Sequence, residues 1–75
     1  MPRSDIRLTP VQMEIVQTLA QSNMRIFVTA QRLYRSHSSV TYHMEQIRKK
    51  TGLSPWNFFD LHKLLDAEVE EGKHA

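Results

Sequence analysis

Between Arg32 and Lys50 lies the stretch of this sequence whose residue types could do chemistry, and the chemistry is contact with a polyanion. Arg32, Arg35, Lys49 and Lys50 are cations able to neutralise phosphates. Between them Ser36, His37, Ser38, Ser39, Thr41, Tyr42 and Glu45 offer small hydrogen-bonding groups for phosphate oxygens and base edges. Arg35 is read as a phosphate contact whose aliphatic stem packs while its head stays outside. Ser36 is read both as a helix cap and as a contact, since a helix start also faces phosphate. Other chemistries lack their residues. His37 and His43 have no carboxylate at ligand spacing, and no His-Glu-x-x-His pattern occurs, so no metal is expected. Nothing matches a phosphate-binding loop or a dinucleotide fingerprint, and the serines have no evident pocket in which to form a nucleophilic triad. No cofactor, no small-molecule substrate and no enzymatic activity are therefore expected.

The elements that must position these residues read as helices. Thr9, Pro10 and Gln12 form a start signal with a capping box, and Val11, Ile15, Val16, Leu19 and Ala20 make an apolar stripe, predicting a helix over 10–21. A shorter helix over 27–34 turns Ala30 and Leu33 inward. After Arg35-Ser36-His37, a third over 38–50 buries Val40, Met44 and Ile47, leaves Ser38, Thr41, Tyr42, Glu45 and Lys49 outside, and stops at Gly52. A fourth, over 56–70, starts at Ser54-Pro55 or at Asn57 with Asp60 and carries a stripe of Phe58, Leu61, Leu65 and Val69; Trp56, Phe58 and Phe59 are expected to be chiefly core, although one helix start cannot turn all three inward and the one left out is expected at a dimer surface. The tail 71–75 is expected to fray. The Ala30, Leu33 and Val40 spacing fits a helix-turn-helix, in which a small residue lets two helices cross closely and two apolar ones lock them. The fold class is all-α, a small bundle of about four helices in one domain over residues 1–75.

Composition sets the outer bounds. Seventy-five residues, 40% hydrophobic and 24% charged, suit one small globular domain and exclude a large enzyme. There is no cysteine, hence no disulfide framework and no thiolate zinc site. No apolar run exceeds three residues, far short of the roughly 20 a membrane span needs, and Met1–Asp5 lead into no signal-peptide core; a cytoplasmic protein away from membranes is expected. The net charge of +2 conceals a gradient: eight basic against three acidic side chains over residues 1–52, two against five over residues 53–75. A basic front with an acidic end suits a surface for nucleic acid beside a separate solvated end.

A longer string narrows this reading. Thr29-Ala30-Gln31-Arg32-Leu33-Tyr34, Val40-Thr41-Tyr42-His43-Met44-Glu45-Gln46-Ile47 and Thr51-Gly52-Leu53-Ser54-Pro55 resemble the C-terminal helix-turn-helix domain of PucR/CdaR-type bacterial transcription regulators, and Asn57 to Leu65 continues the likeness. It covers about Leu8 to Leu65. The resemblance implies sequence-specific binding of double-stranded DNA, with the third helix in the major groove, in a short stand-alone version of the family's DNA-binding domain. Where the family carries H-R-N-T into that helix, this chain has Ser36-His37-Ser38-Ser39, without the amide and guanidinium suited to bidentate base reading. A homodimer is expected, pairing two recognition helices with two half-sites; Phe59, Leu64 and Val69 are the expected dimer surface. The alternative is a protein-interaction module, an adaptor or anti-regulator, that keeps the fold without reading DNA. RNA binding ranks third, because no exposed aromatic platform is evident in the sequence.

Overall fold

A computed structural model describes residues 6–70, so the expectations for Met1–Asp5 and for the tail 71–75 lie outside the described residues. The chain runs β1 (Arg7–Leu8), α1 (Pro10–Gln21), α2 (Ile26–Arg32), α3 (His37–Thr51), α4 (Phe58–Leu65) and β2 (Glu68–Val69). The fold is all-α in substance, four helices with one two-stranded parallel ribbon. α1 lies at the centre, packing against α2, α3 and α4, while α2 and α3 pack on each other.

Each helix begins where local chemistry satisfies its first amide groups. The Thr9 hydroxyl accepts the Gln12 N–H at 3.1 Å, and the Gln12 carboxamide accepts the Thr9 N–H at 3.0 Å, a reciprocal capping box. Leu8 and Met13, the positions of the hydrophobic staple, are both buried. Ser36 caps α3 and Asn57 caps α4, each accepting the N–H three residues on. Asp60 also accepts the Ser54 N–H at 3.0 Å, which ties the Pro55 turn to the helix it precedes. α3 ends at Gly52 in the left-handed region, φ +81°, where glycine carries no Cβ penalty.

The core joins Leu8, Ile15, Val16 and Leu19 to Ala30, Val40, Met44 and Ile47, and is closed by Leu61 and Leu64. Val11 and Ala20, expected in the apolar stripe of α1, sit half-buried against the core. The Ile26–Thr29 stretch, rich in β-branched and aromatic side chains, is helical.

The C-terminal third corrects the sequence reading. α4 stops at Leu65 instead of running to residue 70, and the chain turns at Asp66 into β2. There the Glu68 N–H donates to the Ile6 carbonyl at 3.0 Å and the Glu70 N–H to the Leu8 carbonyl at 2.7 Å. A longer helix would forgo those bonds to backbone beside a buried residue, where an unpaired carbonyl is expensive. The rotation of α4 also differs. Leu61 and Leu64 face the core, whereas Trp56, Phe58 and Phe59, expected to be chiefly core, are 43%, 54% and 74% exposed. Eight residues give α4 little more than two turns. With two leucines facing α1, the aromatic start of the helix is left on the outside.

Candidate nucleic-acid interface

The candidate site is built on the crossing of α2 and α3. Ala30 and Val40 are buried and Leu33 half-buried, so the three residues expected to clamp the two helices lie at their junction. The turn between them is a Schellman motif: the Arg35 N–H donates to the Ala30 carbonyl at 2.9 Å and the Tyr34 N–H to the Gln31 carbonyl at 3.3 Å. This geometry puts Tyr34 in the left-handed region at φ +56°, with its side chain 96% exposed. Ser36 then extends the chain, and its hydroxyl accepts the Ser39 N–H at 3.0 Å.

Helical spacing sets Ser38, Tyr42, Glu45 and Lys49 along the outer line of α3, opposite Val40, Met44 and Ile47, with His37, Thr41 and Arg48 beside it. Ser36, His37, Ser38, Tyr42 and Lys49 are exposed; Ser39, Thr41 and Glu45 are half-buried. The Thr41 hydroxyl donates to the Ser38 carbonyl at 3.0 Å, which leaves its oxygen free to accept. The Tyr42 ring stands edge-on to His43 at 5.4 Å, fixing its direction while the rest of it faces outward.

The charges divide into engaged and unengaged groups. Glu45 pairs with Arg48, and its carboxyl is held below the usual range mainly by the hydrogen bond from that guanidinium, then by the positive charges of Arg48 and Lys49. The carboxylate in the middle of the face is therefore ionised yet locally neutralised. Lys50, expected to meet phosphate, is turned the other way. Its ammonium lies 2.7 Å from the Glu70 carboxylate and 3.4 Å from the Gln12 carboxamide, tying α3 to the end of β2. Among the described residues, no carboxylate forms an ion pair with Arg32, Arg35 or Lys49. Arg35 is half-buried, in keeping with a packed stem. His43 lies half-buried behind the face; burial first, and the charge of Arg35 second, push its imidazole below the ordinary value.

Two groups escaped the sequence reading. Arg48 neutralises Glu45, which an i, i+3 spacing on a helix could have indicated. Tyr34 tops the turn in a conformation that no residue type other than glycine or asparagine would have suggested. Of the expected dimer residues, Phe59 and Val69 are exposed, but Leu64 is wholly buried against the core and offers no surface. Among the described residues, no three histidine or acidic side chains gather as metal ligands, and no helix is long and apolar enough to cross a membrane. No protein-family model, curated protein or solved structure matches the chain.

Proposed function

We propose that this domain binds double-stranded DNA, with α3 in the major groove, and acts as a transcription regulator in a bacterial cytoplasm. The observation that carries the reading is the outer line of α3. Ser38 and Tyr42 are exposed there and Thr41 half-buried beside them, with Arg32 on α2, Arg35 in the turn and Lys49 further along, none of the three in an ion pair among the described residues. A helix is the element the major groove admits, short polar side chains let its backbone approach, and free cations supply the sequence-independent part of the affinity. The resemblance of the Thr29–Pro55 string to PucR/CdaR-type regulators supports the same reading. With no arginine or asparagine where that family carries H-R-N-T, base discrimination falls to Ser38, Thr41 and Tyr42.

Selection of the protein against a random duplex library tests this. An enriched motif that vanishes in Tyr42→Ala and blurs in Thr41→Val is the expected outcome. Recovery of no motif, with duplex affinity at background, refutes it. Glu45 favours a second reading, an interaction module that keeps the fold. A carboxylate held ionised in the centre of the face suits a protein partner better than a phosphate backbone. Replacement by Glu45→Gln separates the two, strengthening duplex binding under the first reading and leaving it at background under the second.

A further inference from the structure

At the corner where α4 meets the end of α1, an exposed ring and an apolar cleft lie side by side. The cleft, about 160 Å³, is lined by Ala20, Asn23, Met24, Phe58, Leu61 and His62. That is small for a drug-sized ligand, which occupies ~300–1,000 Å³, but close to the ~150 Å³ cavity that accepts one benzene. Phe58 forms one wall, with the His62 ring against it at 4.5 Å and the Phe59 ring 5.7 Å away. Phe59 is the more exposed of the two phenylalanines of α4. Knob and hole thus adjoin one shared ring, that of Phe58.

We propose that two copies of this chain dock through this corner about a two-fold axis at Phe58, each inserting Phe59 into the cleft of the other. An isologous interface requires a patch that complements itself, and a knob beside a hole of matching size satisfies that condition. At ~200 Å² per aromatic side chain, the exposed fractions of Trp56, Phe58 and Phe59 amount to about 350 Å² per copy. Complete burial of these rings on both copies removes about 700 Å², short of the ~1,200 Å² at which stable interfaces begin. The dimer is accordingly weak. It leaves the outer line of α3 uncovered and does not rest on DNA binding.

Sedimentation velocity of the full chain without DNA, from about 10 µM to about 1 mM, tests the proposal. The wild type shows concentration-dependent dimerisation. Phe59→Glu removes the knob and His62→Trp fills the hole with the chain's own ring; each weakens the dimer by about 30-fold or more while the circular dichroism spectrum stays native. A wild type that stays monomeric throughout, or a dimer that persists in both variants, overturns it. Duplex-binding results bear on neither outcome.

Discussion

Tyr34→Gly should stabilise the domain. Tyr34 closes the Schellman motif at φ +56°, a conformation that costs a residue with a Cβ about 1–2 kcal/mol. Its ring is 96% exposed, so almost no packing is lost with it. Glycine removes the steric penalty but returns about 0.4–1 kcal/mol of freedom to the unfolded chain. The net gain is about 0.5–1 kcal/mol. For a domain of this size that raises Tm by about 2–8 °C, readable by thermal circular dichroism. Tyr34→Ala is the control: it loses the ring but keeps the Cβ, and its Tm should stay close to wild type. A lower Tm for Tyr34→Gly, or an equal rise in both variants, would refute the reasoning, since the effect would then come from the ring and not the backbone. A strained, unpacked aromatic beside the proposed recognition helix suits a residue retained for contact. Duplex affinity should fall in both variants, although only one is stabilised.

Gly52→Ala inverts that argument: at φ +81°, with nothing within 4 Å of the added Cβ, backbone strain alone lowers stability by about 1 kcal/mol, seen as a lower urea midpoint at unchanged m. Leu64→Ala opens a hole in the core and should lose about 2–5 kcal/mol, enough to unfold so small a domain in a denaturant titration, whereas Phe59→Ala leaves stability nearly intact. The folded imidazole of His43 titrates below its unfolded value of about 6.5, so the unfolded chain binds the proton first. Stability should therefore drop as pH falls below about 6.5, and in Tm measured against pH that part of the drop should vanish in His43→Gln.

What was legible in the sequence is local. The caps at Thr9, Ser36 and Asn57, the stop at Gly52 and the Val40–Met44–Ile47 stripe each follow from chemistry within a few residues, and the first three helices lie within one or two residues of their expected bounds. What failed is non-local. Val69 stands four residues after Leu65 and continues a helical stripe on paper, but β2 pairs with Arg7–Leu8 some sixty residues earlier, and two-residue strands are too short to show an alternating pattern. The aromatic start of α4 misled for a related reason. Trp56, Phe58 and Phe59 have the types of a core, yet two leucines on so short a helix already cover α1, and only packing reveals which residues are left outside. At the candidate interface the polar outer line of α3 was readable from period alone. The removal of Lys50 by Glu70 was not, because that pair joins residues twenty positions apart.

The most direct test of the central claim is the salt dependence of binding to a duplex, measured by fluorescence anisotropy. With Arg32, Arg35 and Lys49 meeting phosphates, log K should fall against log salt with a slope of about −3 per protomer. Removing Arg35 and Lys49 together should flatten that slope by about 2, while Lys50→Ala, already committed to Glu70, should leave it nearly unchanged. A flat slope in the wild type, or no affinity at low salt, would contradict the account.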